Sequence, residues 1–439
     1  MDQSILIARL GRFQYNLGMN SNQLVSAFGT VAMVGIAWIF CKNKKAINWR
    51  TIGWATALQF IIALLVLKTP PGRYFFTAAN DAAVGLIGFQ EEGAKFVFGS
   101  LAIPPGQPGS QGFFFAFQVL TSIVFLASLI SILYYLGVLQ KIVLFFGKIM
   151  VHTCGTSGAE TLNAVAVPFL GQTEAPILIK PYIEAMTESE LLCLMVAGMS
   201  TIAAGVMVVY AGMLKQFFPD SAGQILAACM MEAPAALLMT KMLIPETGKP
   251  KTLGTVRLEY HEQATNVFEA AANGATTGIQ LAFNVAAMLV AFMSLLAMVN
   301  GGFHVFFGWF GHPTIGLETL LGWALSPLAW IMGVPWKDCQ IIGALIGEKT
   351  VLNEFVAYMH MADWSAKHAA DPMERRSFMI GIHALCGFAN FLSIAIQIGG
   401  LGVLAPSRKA DVARLGFYAL LGGSLASFMT GCIAGMLVP

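Results

Sequence analysis

The stretch GTSGAETLNAVAVPFLGQTEAPILIKPY, Gly155 to Tyr182, decides the fold. It is apolar enough for a bilayer, yet it holds Gly155, Gly158, Pro168, Gly171, Pro176 and Pro181, with Gly171-Gln172-Thr173-Glu174 near its centre. A single crossing needs about 20 continuous helical residues and a double crossing about 40. Its 28 residues are too broken for the first and too few for the second. WKDCQIIGALIGEKTVLNEFVAYMHM, Trp336 to Met361, reads the same way, with Asn353-Glu354-Phe355 near its centre. A carboxylate at bilayer depth costs about 2.5–3.5 kcal/mol even on the lenient insertion scale, so it is rarely kept without a role. Irregular backbone survives there only when buried in protein or lining a wet cavity. Two such hairpins in corresponding halves of one chain mark a transporter's substrate site.

Composition agrees. Over 439 residues, 57% are hydrophobic and 11% charged, against about 25% charged in soluble domains. The net charge of +2 leaves no footprint for a nucleic-acid partner. Seven cysteines fall almost wholly in apolar segments without C-x-x-C or zinc-like spacing, which points to buried thiols. Residues 1–21 carry Arg9 and Arg12 but no short apolar core with a cleavage site, so no signal peptide is expected.

Outward from the two hairpins, spans are expected over residues 22–41, 51–67, 113–139, 191–214, 222–244, 277–299, 377–400 and 413–438. Residues 72–100 and 315–335 are read as helices lying in the membrane interface, and 141–150 as amphipathic. Eight spans place Lys42, Lys44, Lys45, Arg50, Lys249, Lys251, Arg257, Arg408 and Lys409 on one side, as positive charge on the cytoplasmic side requires. Lys367, Arg375 and Arg376 then fall on the other side, against that rule. The expected fold is an all-α polytopic membrane protein, with eight transmembrane helices plus two re-entrant hairpins and interfacial helices. It forms an inverted repeat in which 152–244 matches 337–438. Its expected parts are a scaffold of 1–112 and 245–336, the third span with its amphipathic helix in 113–151, and the two repeats in 152–244 and 337–439. It should sit in the plasma (inner) membrane, surrounded by lipid.

The midplane side chains then become legible. Gln172, Thr173 and Glu174 occupy the first tip; Glu174 could bind a guest or cap the amides of the second arm. Glu348 and Glu354 flank Lys349 and could bind a guest or pair with that lysine. Span four carries Ser200, Thr201 and Ile202. Span seven carries Phe388, Asn390 and Ser393, in a Gly-Phe-Ala-Asn run suited to local unwinding. Carboxylates, amides and hydroxyls with few cations suit a neutral guest rich in hydrogen-bond donors, partly apolar, with Phe388 and Val206 beside it. Phosphates and carboxylates are disfavoured without an Arg cluster. The same oxygens suit a hard monovalent cation.

Five motifs, in order, resemble the signatures of the concentrative nucleoside transporters. They are Gly171-Gln172-Thr173-Glu174-Ala175-Pro176, Ser200-Thr201-Ile202-Ala203, Asn353-Glu354-Phe355-Val356-Ala357-Tyr358, Gly387-Phe388-Ala389-Asn390 and Ala405-Pro406-Ser407-Arg408-Lys409. The resemblance runs from about residue 22 to the C-terminus. It implies a homotrimer in which a transport domain carries the site past a fixed scaffold, an elevator-type symport of nucleosides such as uridine, cytidine or adenosine into the cell. It implies that Gln172, Thr173 and Glu174 meet the nucleobase with Val206 against it. Glu354, Asn390 and Ser393 would hold the ribose hydroxyls, with Phe388 lining the site. Sodium as coupling ion would sit among the carbonyls near Val167, Leu170 and Ile202 and the Thr201 hydroxyl; a proton is the other candidate for that role. Two positions depart from the family pattern: Val167, followed by Pro168, stands where some members carry Asn, and Glu232 is a carboxylate in mid-span. A transporter of this kind is not an enzyme. The rival reading, an intramembrane serine protease using Ser157 in Gly155-Thr156-Ser157-Gly158 with His383, leaves Glu174, Glu354 and Asn390 without a role.

Overall fold

The computed structural model describes residues 20–105, 107–255 and 264–438; Arg9, Arg12, Gly106 and Arg257 lie outside them. Among the described residues the chain is helical, with one isolated bridge between Ser157 and Leu253.

The first part holds α1 (Ser21–Ile39), α2 (Trp49–Lys68), α3 (Pro70–Phe98), α4 (Phe115–Tyr135) and α5 (Val138–Cys154). The first broken stretch follows as α6 (Gly158–Leu170), a turn at 171–174 and a short arm, Ala175–Ile179 with Lys180–Ile183. Then come α7 (Glu188–Ser200), α8 (Ala204–Leu214), α9 (Ser221–Leu243) and α10 (Val267–Gly308). The last part is α11 (Leu317–Ile331), α12 (Trp336–Val351), α13 (Glu354–Lys367), α14 (Arg375–Leu385), α15 (Phe391–Leu404) and α16 (Lys409–Leu437).

Seven helical segments among the described residues are long and apolar enough to cross a membrane, α7 and α8 counting as one. The expected span over 377–400 is not one of them, because residues 386–390 divide it into α14 and α15. Helix α11 turns 117° into α12, so the two are not one straight crossing. Its 15 residues extend only about 22 Å, short of the ~30 Å hydrocarbon core. The sixth span, expected over 277–299, is the middle of a much longer helix of 42 residues. Within it, the Asn300 side chain donates through Nδ2 to Glu318 at 2.9 Å and accepts from Leu317 N at 2.8 Å.

Local chemistry starts the helices that frame the site. Ser157 and Glu160 form a reciprocal cap on α6, and Thr187 and Glu190 do the same on α7. Asn353 accepts from Val356 N at 2.9 Å to begin α13, and Asn390 accepts from Ser393 N at 2.8 Å to begin α15.

The charges mark the two ends of the bundle. Just past the end of α1, Lys42 pairs with Glu188 at 2.6 Å, and Arg414 reaches the same carboxylate at 2.9 Å. Arg408 donates to Met186 O at 2.7 Å nearby in sequence, and Lys241 near the end of α9 pairs with Glu160 at 2.8 Å. At the start of α1, Arg376 donates to Gly333 O, Val438 O and Asn22 O at 2.6–2.8 Å, and Arg375 pairs with Asp220. Of the three cations that break the charge rule, Arg376 is thus consumed by backbone carbonyls, while Arg375 and Lys367 each pair with a carboxylate. Helix α6 sets out from the Lys42 end, beside Lys241, whereas α12 sets out from the Arg376 end, beside Gly333. The two broken stretches therefore start from opposite ends of the bundle, and so do α7 and α14.

Candidate functional site

Both broken spans fail in mid-bundle, and the breaks touch. Gly387 has φ 153°, and a Cβ there would stand 2.5 Å from Ser200 O; only glycine lets the second break rest on the first. The Ser427 hydroxyl of α16 lies 3.2 Å from Ser200 O and 3.1 Å from Cys386 O. One hydroxyl of the last helix thus lies within reach of a loose carbonyl from either break.

The second tip leads into a buried polar chain. Glu354 accepts from the Tyr210 hydroxyl at 2.8 Å and from Asn390 Nδ2 at 3.2 Å. Asn390 holds Ser393 N, and the Ser393 hydroxyl receives Gln172 Nε2 at 3.4 Å. Gln172 Oε1 accepts from Gln397 Nε2 at 3.2 Å, which also donates to Met195 O at 2.9 Å. Gln172, Glu354, Asn390 and Ser393, expected to share a site, are joined in one run from the first tip to the second. Tyr210 and Gln397 were not expected in it. Tyr210, fully buried in α8, is held by stacking on Tyr358 at 4.5 Å and by the edge of Phe355 at 5.5 Å. A tyrosine and a glutamine inside apolar helices were the available signals, since each brings a polar group that must find a partner.

At the first tip, Gly171 has φ 93° and ends α6. Glu174 makes no side-chain cap on the following turn, so it does not serve the amides of the second arm. Its carboxylate borders a cavity of about 420 Å³ shared with Leu170, Val206, Ala203, Tyr134 and Thr277. That volume falls within the range of small-molecule sites, roughly 300–1,000 Å³. Thr173 points its methyl toward Gly400 of α15. Phe388 is half-buried at the second break. A second cavity of about 950 Å³ lies along α8 and α13, lined by Val208, Val209, Met213, Phe115 and Met359.

The four residues expected at sodium lie on α6 and at the first break. Val167 O already accepts from Gly171 N at 2.8 Å. Thr201 is extended at φ −127° and ψ 170°, ending α7. Its hydroxyl is buried with no hydrogen-bond partner, the condition expected of an oxygen kept for a hard cation. Ile202 O has the Cys229 thiol 3.9 Å away.

Glu348 and Lys349 do not pair with each other. Glu348 takes His360 Nδ1 at 2.8 Å, and the Lys349 ammonium donates to Ala384 O at 2.8 Å. Ser157 is occupied as a helix cap and lies 3.2 Å from the Thr252 hydroxyl, while His383 Nδ1 faces Met379 O. Among the described residues no bond joins Ser157 to His383, and the protease arrangement is not formed.

Residues 224–435 match the family described as Na+ dependent nucleoside transporter C-terminus, and residues 28–101 match its N-terminus. Residues 116–217 match a segment described as Nucleoside recognition. The chain is 39% identical over 418 residues to the Nucleoside permease NupC of Helicobacter pylori, covering 95% of this chain and 98% of that one. It is 40% identical over 430 residues to Solute carrier family 28 member 3 of Rattus norvegicus, of which it spans 59% of the length. The solved structure of CNTnw in an inward-facing substrate-bound state is 42% identical, with a TM-score of 0.87 over 94% of this chain and 97% of that one. A membrane-embedded helical bundle with two tips converging on acids and amides, together with these likenesses, makes this chain a member of the concentrative nucleoside transporter family.

Proposed function

We propose that this chain is a sodium-coupled symporter that accumulates nucleosides in the cell. The carrying observation is the buried run Tyr210–Glu354–Asn390–Ser393–Gln172, which spans both tips and both breaks. Its carboxylate and amide accept from hydroxyl groups, and the donors now on Glu354 can be exchanged for ribose hydroxyls. The base then lies toward Gln172, Thr173 and Glu174, with Val206 and Phe388 on its apolar faces. Sodium travels with it, held by the Thr201 hydroxyl and the carbonyls of Val167, Leu170 and Ile202.

Opposite entry of the hairpins supports alternating access by rigid-body motion. In this reading 152–244 and 337–439 move as the carrier, and 1–112 with 245–336 form the scaffold of a homotrimer. The long α10, whose apolar residues lie mostly outside the core of the single chain, suits the scaffold. The test is uptake of labelled uridine and adenosine into proteoliposomes holding the full chain. Accumulation under an inward sodium gradient, absent with choline, is expected. Entry that stops at the external concentration under every gradient overturns the reading.

A further inference from the structure

One acid is unused by the site above. Glu232 sits at the middle of α9, fully buried, with neither carboxylate oxygen hydrogen-bonded. The Thr430 side chain lies beside it, but the proton of that hydroxyl goes elsewhere. The Thr430 hydroxyl of α16 donates to Ala426 O at 3.0 Å, and the Gln59 amide of α2 donates to Met231 O at 3.3 Å and to Thr430 at 3.5 Å. The titratable groups facing it are Lys349 from α12, Tyr358 from α13, Cys386 at the second break and Cys229 one turn back on α9. His383 of α14 is also buried, with Nε2 unpartnered. Lys349 is fully buried too and forms no ion pair among the described residues; its ammonium holds Ala384 O and lies 5.8 Å from the Phe428 ring.

A dry carboxylate without hydrogen bonds persists only by carrying a proton or by drawing on a nearby cation. Here both options exist side by side. Lys349 anchors Ala384, at the end of α14, directly before the break that leads to Asn390 and so to Glu354. A change of charge on Glu232 is therefore felt, through Lys349, at the backbone that positions the substrate acceptors.

We propose that Glu232 is a proton-binding site within the carrier, with Lys349 as its counter-cation, so that a proton gradient drives nucleoside entry independently of sodium. In the loading step hydronium gives its proton to a Glu232 oxygen, forming an O–H bond and leaving water. In the release step that bond breaks to water on the other side, and the carboxylate returns to the field of Lys349. No electron is transferred. The inference rests on the nucleoside-transport reading but not on the placement of sodium.

The test is full-length protein in liposomes with labelled uridine. The arms are an inward proton gradient without sodium, a sodium gradient at equal pH, and uridine counterflow without either. The wild type should accumulate uridine under the proton gradient, about tenfold per pH unit for one proton per nucleoside. Glu232→Gln should lose that accumulation while keeping sodium-driven uptake and counterflow, and Glu232→Asp should restore part of it. Proton-driven accumulation by Glu232→Gln equal to wild type overturns the proposal, and so does a wild type indifferent to the proton gradient. Absence of uridine counterflow in the wild type would instead sink the nucleoside reading. Infrared difference spectra taken across pH address Glu232 without any substrate. A carbonyl band of a protonated carboxyl group that titrates, vanishes in Glu232→Gln and shifts its midpoint in Lys349→Met supports the site; an unchanged band in Glu232→Gln overturns it.

Discussion

The two halves of the molecule break a helix at the same depth and finish the break differently. In the second half, asparagines close both ruptures: Asn353 starts α13, Asn390 starts α15, and Asn390 also donates to Glu354. In the first half, Ala203 starts α8 with no side-chain cap, and the Thr201 hydroxyl is unpartnered. Glu174 lines a cavity and caps no helix. The acid of the second half is satisfied by side chains, Asn390 from its own half and Tyr210 from the first, while the first half holds polar groups in reserve. A preorganised half can recognise hydroxyl groups with little rearrangement, while an unsatisfied half has most to gain from a base and an ion.

The largest expected effect follows from the satisfied half. Glu354→Ala removes one acceptor and strands two donors, the Tyr210 hydroxyl and the Asn390 amide. Bonds to a charged group contribute about 1.5–3 kcal/mol each, so uridine affinity should fall by roughly 100-fold or more. Isothermal titration and uptake on the same preparation check it. A loss no greater than that of Glu174→Ala would break the comparison, because the open half would then matter as much. Next is Gly387→Ala. Its Cβ must push Ser200 away from the 2.5 Å approach, which should lower stability by about 1–3 kcal/mol, read as thermal unfolding in detergent. An unchanged unfolding temperature would mean that the breaks do not bear on one another.

The sequence made the second half more readable than the first. Asn353-Glu354 and the Gly-Phe-Ala-Asn run announce themselves, because amides and acids in apolar surroundings need partners, and those partners lie close by. The break at 201–203 carries no Gly or Pro of its own; it follows from the packing of Gly387 and Ser427 against Ser200, contacts distant in sequence. Tyr210 and Gln397 were missed for a related reason. Each reads as a single polar side chain on an apolar helix until its partners, 144 and 225 residues away, are in place. The length of α10 was missed at both ends because the expected span counted only the residues needed to cross the bilayer; past residue 299 the Asn300 amide is taken by the neighbouring helix.

Smaller effects probe the open half. Thr201→Val replaces an unpartnered hydroxyl with a methyl of similar volume, so the fold should be little altered. If that oxygen serves sodium, the sodium concentration for half-maximal uptake should rise by roughly 5–10-fold, equivalent to ~1 kcal/mol, with uridine affinity at saturating sodium unchanged. An equal loss of both would move the ion away from the first break.

The smallest effect is expected from Ser427→Ala, and it decides what holds the two breaks together. The hydroxyl has one proton and three carbonyls within reach: Ser200 at 3.2 Å, Cys386 at 3.1 Å and Gly423, its own preceding turn, at 3.2 Å. It can donate to only one of them at a time, and all three distances are long for a hydroxyl donor. Its removal should therefore cost about 0.5–1 kcal/mol, the lower part of the range for a single hydrogen bond. That is less than the cost of Gly387→Ala, because close packing rather than the hydroxyl keeps the breaks in contact. A Ser427→Ala variant that unfolds earlier than Gly387→Ala would reverse the order. The shared donor, and not the missing Cβ, would then be what ties the reserved half to the satisfied one.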